Sequence, residues 1–157
     1  MARTKIVLLT LLLLVIMAAV CSASNSADSE LAPGSAQLIS PEDLVKILKS
    51  SNSAKPLILN VGPLLLYQQA HIPGSEYIGP GSDEQALERL RMTVKPLPHN
   101  KFIVLYCGCC PWSHCPNVRP AYSALHALGF TRVKVLYIAD NFGTDWVYKG
   151  YPTDRSR

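Results

Sequence analysis

The amino-acid sequence predicts an α/β domain whose central sheet is mostly parallel and is flanked by helices. Short apolar runs rich in strand-forming residues alternate along the chain with amphipathic patterns of helical period. The runs 57–61 and 102–106 are almost entirely apolar, which is typical of parallel strands covered on both faces. This alternation favours a layered α/β fold over an all-helical or all-β one.

The first 23 residues have the pattern of a signal peptide. Arg3 and Lys5 precede an apolar stretch over residues 6–20, and small residues follow it. We expect export to a periplasmic or secreted location. An uncleaved membrane anchor and a lipid on Cys21 are the alternatives, and only these would bring the protein to a membrane.

The rest of the 157-residue chain is long enough for one domain. Residues 24–37 are rich in serine and alanine and are predicted to form a flexible tether. Residues 38–153 form the predicted folded domain, and the charged end, 154–157, is predicted to fray.

Charge argues against nucleic acid as a partner. The net charge is +4, and cleavage of the leader lowers it to +2 because 13 of the 15 Lys and Arg residues then remain against 11 Asp and Glu. No basic run with interleaved aromatic residues appears, as a nucleic-acid-binding protein would require.

Capping residues and turn signals locate the elements in order. Ser40 is the predicted cap of a helix that begins at Pro41, and Ser82 is the predicted cap of a later helix. Between and after them the sequence predicts strands over 57–61, 76–78, 102–106 and 132–138, and short helices over 64–70 and 144–148. On the last strand, Val133, Val135 and Tyr137 are expected to share one face.

The stretch 101–130 is expected to hold the functional site. A buried strand is followed by a cysteine-rich loop and then by a helix that ends near Gly129. Four of the five cysteines lie within residues 107–115, which suits chemistry at one place better than a disulfide framework. Such a loop lies at the carboxyl edge of a parallel sheet, where α/β folds bind ligands. Helix-start amides and a cation, Arg119 or His114, would favour a thiolate there.

Several motifs in the right order resemble the rhodanese-like sulfurtransferase domain. The resemblance runs from about residue 40 to residue 152. It rests on the strand Leu57-Ile58-Leu59-Asn60-Val61, the turn His71-Ile72-Pro73-Gly74-Ser75, the strand Ile103-Val104-Leu105-Tyr106-Cys107, the helix end Leu125 with Gly129-Phe130, and the closing Trp146 with Gly150-Tyr151-Pro152.

The chain also departs from the family pattern. Asn60 and Gly62 stand where the family has Asp and Arg. The family places four residues between its cysteine and the arginine that opens the helix, whereas here nine residues separate Cys107 from Asn117. We expect Asn117 to cap the helix and Arg119 to replace the missing cation.

The resemblance implies an enzyme that moves a sulfane sulfur through a cysteine persulfide to a thiol or cyanide. Cys107 is the expected nucleophile, with Arg119 and Cys110 as further catalytic residues. The residues expected to bind substrate are Gly108, Cys109, His114, Cys115 and Asn117. No cofactor is implied. The expected partners are a small sulfur donor and a thiol acceptor, with a redox partner protein as a further candidate.

Three other functions fit the same loop. A metal-binding module would hold copper or zinc with ligands drawn from Cys107, Cys109, Cys110, His114 and Cys115. A thiol-disulfide protein would use the C-x-x-C spacing between Cys107 and Cys110. A non-catalytic binding member of the family would explain the absent Asp and Arg.

Overall fold

Five parallel strands form the central sheet of the computed structural model, which describes residues 37–51 and 54–156. The strands are β1 (Leu38–Ile39), β2 (Leu57–Asn60), β3 (Glu76–Tyr77), β4 (Ile103–Tyr106) and β5 (Val133–Leu136). Their order across the sheet is β1-β5-β4-β2-β3, and every paired strand is parallel. The predicted fold class is therefore confirmed. The predicted signal peptide and all of the predicted tether except Gln37 lie outside the described residues.

Helices connect the strands. They are α1 (Pro41–Lys49), α2 (Leu64–Gln69), α3 (Glu84–Val94) and α4 (Val118–Ala127), with a 3₁₀-helix at Trp112–His114 and a π-helix at Gly143–Val147. The Oγ atom of Ser40 accepts a hydrogen bond from the Asp43 amide at 3.1 Å, so the predicted cap of α1 is confirmed. Among the described helices, none is long and apolar enough to cross a membrane.

The core lies on both faces of β4, where side chains alternate. Ile103 and Leu105 pack in one buried cluster, which also contains Cys107 and Cys115. The other face contributes Val104 and Tyr106 to a second buried cluster, which includes Leu44 and Trp146. Because β4 is buried on both faces, the residue that follows it is held rigidly at the sheet edge.

Two local predictions differ from the structure, and one strand was not predicted. Asp83, not Ser82, caps α3, since its Oδ1 atom accepts a hydrogen bond from the Gln85 amide at 2.9 Å. Tyr137 does not share a buried face with Val133 and Val135, because β5 ends at Leu136 and Tyr137 is 43% exposed. The two-residue strand β1 had no signal in the sequence.

The end of the described chain is attached to the domain at one residue. Asp154, where the predicted frayed tail begins, exchanges two backbone hydrogen bonds of 2.9 Å with His71.

The strand order places a crevice between the carboxyl ends of β2 and β4. From β2 the chain moves to β3 on one side, whereas from β4 it moves to β5 on the other. Connections that leave neighbouring parallel strands in opposite directions open a crevice at their carboxyl ends. The residues at this edge are Val61 and Gly62 after β2, and the cysteine-rich loop 107–117 after β4.

Candidate active site

Four free thiols form one cluster after β4. The Sγ atom of Cys109 lies 3.2 Å from that of Cys107 and 3.1 Å from that of Cys110. The sulfurs of Cys107, Cys109 and Cys115 all lie within 4.8 Å of one another. Cys107 and Cys115 are buried, with 4% and 5% of their surface exposed, whereas Cys109 and Cys110 are half-buried. The cluster thus has an inner pair and an outer pair.

Contacts with the chain after β5 hold the loop in place. Gly108 has a φ angle of +85°, a conformation that residues with side chains rarely adopt, and its carbonyl accepts the Phe142 amide at 3.0 Å. The Trp112 amide donates to the Ile138 carbonyl at 2.9 Å. Both hydrogen bonds join the loop to residues distant in sequence, so the shape of the loop depends on the folded domain.

The 3₁₀-helix returns the chain to the cluster. Trp112 is buried beside the core, and the Cys115 amide donates to its carbonyl at 3.2 Å. This turn brings Cys115 back towards Cys107. The sulfur of Cys115 accepts hydrogen bonds from the backbone amides of Asn117 and Val118, at the start of α4. The helix-start amides that the sequence predicts for the nucleophile are therefore directed at Cys115.

Asn117 connects Cys107 with Ser82, which lies just before α3. Its Nδ2 atom donates to the Cys107 sulfur at 3.3 Å, and its Oδ1 atom accepts from the Ser82 amide at 3.2 Å and from the Ser82 hydroxyl at 2.9 Å. Asn117 is at the cap position of α4, but its side chain makes no capping hydrogen bond. The buried amide instead positions and polarises a thiol.

Gly62 makes room for Cys107. A Cβ atom at this position would lie 2.4 Å from the Cys107 carbonyl oxygen and 3.0 Å from its sulfur. The Gly62 amide donates to the Oδ1 atom of buried Asn60 at 3.0 Å, which fixes the turn after β2. Both departures from the family pattern, Asn60 and Gly62, thus meet in one turn that packs against the cysteine backbone.

Burial and hydrogen bonding raise the pKa of each of the other three thiols. Burial raises the pKa of Cys109 to about 12 and also raises the pKa of Cys110. The hydrogen bond with Cys107 is the largest cause of the raised pKa of Cys115, followed by burial. The hydrogen bond with Cys107 raises the pKa of Cys115, as expected of a donor, whereas the hydrogen bond with Cys107 lowers the pKa of Cys109. The Cys115 thiol and the Asn117 side-chain amide are therefore the donors to the Cys107 sulfur.

Neither of the two predicted cations makes a hydrogen bond to a sulfur of the described residues. Arg119 is exposed in the first turn of α4, and no hydrogen bond or ion pair joins it to another of the described residues. His114 is exposed, and its Nδ1 atom lies 3.0 Å from the Ser113 hydroxyl. In the described part of the chain, the electrostatic support of Cys107 thus comes from neutral donors.

The residues that the sequence did not reveal are those whose contacts are long-range. Ser82 and Phe142 reach the loop only through the folded structure. Gly62 carried a signal, its departure from the family pattern, but its purpose becomes visible only against the Cys107 backbone.

Comparison with known proteins decides the family. The model of the rhodanese-like domain family matches residues 40–137, more than half of the chain. The chain belongs to the rhodanese-like domain family. The resemblance found in the motifs is confirmed: the family is one of sulfurtransferases, and the described residues of this chain contain a cluster of cysteines.

Solved structures show the same fold. The BH2092 protein of Bacillus halodurans is 24% identical, with a TM-score of 0.57 over 75% of this chain and 76% of that one. The Alr3790 protein of Anabaena sp. is 22% identical, with a TM-score of 0.57 over 75% and 82% of the two chains. A single-domain sulfurtransferase of Saccharomyces cerevisiae, RDL2, is 15% identical, with a TM-score of 0.54 over 77% and 99%. No match to a curated protein is found.

Proposed function

We propose that this rhodanese-like domain is a sulfurtransferase that carries a sulfane sulfur on Cys107. The observation that supports this most strongly is the position of the Cys107 sulfur. It follows the central strand directly, and the Asn117 side-chain amide donates to it at 3.3 Å. A hydrogen bond to a thiolate stabilises the charged, nucleophilic form of the thiol.

The first half-reaction loads the sulfur. The Cys107 thiolate attacks the outer sulfur of a donor such as thiosulfate, and a new sulfur–sulfur bond forms on the protein. The sulfur–sulfur bond of thiosulfate breaks, and sulfite leaves with the bonding electron pair. The product is a persulfide anion on Cys107, and no external oxidant or reductant is required.

The burial of Cys107 protects this intermediate. The persulfide's outer sulfur extends roughly 2 Å beyond Sγ. Only 4% of Cys107 is exposed, so water has little access to the inner sulfur. The Cys109 thiol beside it, with a pKa raised by burial, is a protonated donor for the new anion.

Two routes then remove the sulfur. An acceptor thiolate or cyanide attacks the outer sulfur, takes it, and returns Cys107 as a thiolate. Alternatively the Cys109 thiol, 3.2 Å from Cys107, attacks the inner sulfur, releases hydrosulfide and leaves a Cys107–Cys109 disulfide. The second route needs a dithiol partner protein to reduce the disulfide. The neighbour of Cys107 in this route is Cys109 rather than the Cys110 of the C-x-x-C spacing.

The test is turnover by the reduced protein with thiosulfate and cyanide. We expect sulfite and thiocyanate to form in equal amounts, with saturation in both substrates. Hydrosulfide released without an acceptor, together with a stoichiometric disulfide, would favour the second route. Absence of sulfite release from fully reduced protein would contradict both.

We also propose that the chain is exported and that its leader is removed near residue 23. The charged start and apolar stretch of the sequence support this. Expression of the full chain, followed by fractionation and intact mass measurement, tests it. A mass that retains residues 1–23 would contradict cleavage, and added lipid mass on Cys21 would support the anchored alternative.

A further inference from the structure

We infer that the reduced sulfurs of Cys107, Cys109 and Cys115 form a binding site for one Cu(I) ion. Their ligand atoms all lie within 4.8 Å of one another. A metal ion can bridge sulfurs at such separations with small side-chain movements, since metal–thiolate bonds are roughly 2.3 Å long. This inference goes beyond the proposed sulfur transfer and needs no persulfide chemistry.

The ligand set selects a soft metal ion. Three thiolates and no oxygen ligand suit Cu(I), which prefers sulfur. Structural zinc sites are almost always four-coordinate. No fourth Cys, His, Asp or Glu atom of the described residues joins the three sulfurs, and of the five ligands that the sequence suggests, His114 and Cys110 lie outside the set.

Two of the three sulfurs receive hydrogen bonds from outside the set, and the third contacts another thiol. The Asn117 side-chain amide donates to Cys107, and the backbone amides of Asn117 and Val118 donate to Cys115. The Cys110 sulfur lies 3.1 Å from the Cys109 sulfur, and either thiol can be the donor in this contact. Donors of this kind orient metal ligands and stabilise their charge.

The charge of the Cu(I)–thiolate complex and the access of an ion to the sulfurs also suit this site. Metal ligands must be deprotonated, and three thiolates with one Cu(I) leave a charge of −2 that the amides at the start of α4 stabilise. Cys107 and Cys115 are buried, which keeps water away, whereas half-buried Cys109 leaves one side open to an incoming ion. Since Cys107 belongs to the set, a bound ion would block its reaction with a sulfur donor.

The experiment is an anaerobic competition for Cu(I) between the fully reduced protein and a chromogenic Cu(I) chelator, without any sulfur donor. We expect one Cu(I) per chain and a copper–thiolate absorption band in the ultraviolet. Cys115→Ser and Cys109→Ser should each weaken binding by at least about tenfold. Cys110→Ser and His114→Asn should each change the Cu(I) affinity by less than about threefold. The serine in Cys110→Ser keeps a hydroxyl beside Cys109. An excess of Zn(II) should not displace the Cu(I).

Three outcomes would overturn the inference. In the first, the reduced protein retains no copper. In the second, Zn(II) displaces the Cu(I). In the third, Cys110→Ser or His114→Asn loses as much Cu(I) affinity as Cys115→Ser. Circular dichroism identifies a variant that fails to fold. If Cys115→Ser or Cys109→Ser fails in this way, the copper affinity of the other variant tests the inference. Copper binding without sulfite release would contradict the proposed sulfur transfer alone, and the reverse result would contradict this inference alone.

Discussion

The inner and outer pairs of the cysteine cluster differ in their surroundings. Cys107 and Cys115 are buried and accept hydrogen bonds from amides at the start of α4. Cys109 and Cys110 are half-buried, and their closest polar neighbours are other thiols. Amides stabilise an anion without competing for its proton, whereas a thiol is a proton donor that can itself react. The comparison indicates that the amides favour an anion in the inner pair, which we assign to Cys107, whereas the thiols of the outer pair supply protons.

The largest effect should come from removing the inner nucleophile. Cys107→Ser should lower sulfur transfer from thiosulfate to cyanide by roughly a thousandfold or more, because a serine hydroxyl cannot form the persulfide. Cys110→Ser, in the outer pair, should lower it by no more than about threefold. Initial rates of thiocyanate formation by the reduced variants measure both. Equal losses in the two variants would remove the distinction between the pairs.

Gly62→Ala tests the space that the inner pair requires. The new Cβ would meet the Cys107 carbonyl oxygen at 2.4 Å, and the displacement of Cys107 should slow sulfur loading by roughly a hundredfold. Overpacking should also lower the free energy of unfolding by about 1–3 kcal/mol. Stopped-flow sulfite release and urea denaturation measure the two effects.

Gly74→Ala is the matched control. Gly74 has a φ angle of +74°, but a Cβ atom there would meet nothing within 4 Å. The substitution should lower the free energy of unfolding by about 1–2 kcal/mol through backbone strain, and sulfur loading should stay at the wild-type rate. If it slowed loading as much as Gly62→Ala, general destabilisation would explain both results.

Removing the side-chain amide that supports Cys107 should have a moderate effect. Asn117→Ala should slow single-turnover sulfite release about tenfold, since a hydrogen bond to a charged group is worth about 1.5–3 kcal/mol. Ser82→Ala removes only one of two donors to the Asn117 Oδ1 atom, so its rate should fall by less than about threefold. A larger loss in Ser82→Ala than in Asn117→Ala would show that the amide acts only as a structural link.

The smallest effect is a pH dependence of stability that originates in the outer pair. Burial raises the pKa of Cys109 from 9.0 to about 12, so between these values the unfolded chain binds fewer protons at this thiol than the folded one. The contribution of Cys109 to stability is therefore complete below pH 9 and is lost as the pH rises towards 12. Urea denaturation under reductant from pH 8 to about 11 should show a shallower decline in Cys109→Ser than in wild type. An unchanged slope would contradict the raised pKa.

The sheet could be predicted because its longer strands are apolar runs bounded by turn residues. β2 and β4 each have this pattern, and each also carries a motif that resembles the family. β1 could not be predicted, since two residues carry no period. Its place in the sheet depends on pairing with β5.

The site was predictable as a location but not as an arrangement. The position of Cys107 after the central strand follows from the sequence pattern. The role of Asn117 does not, because its side chain reaches Ser82, 35 residues earlier, in place of the local capping bond. That contact also explains why Ser82, an equally good capping residue, leaves the cap of α3 to Asp83.

The most direct measurement is to locate sulfur after a single turnover. Reduced protein is mixed with one equivalent of thiosulfate, quenched with an alkylating agent, and fragmented in a mass spectrometer so that the four cysteines are resolved. We expect the mass of one added sulfur atom on Cys107 alone. Sulfur on Cys109, Cys110 or Cys115 while Cys107 is alkylated as a free thiol would contradict the central claim.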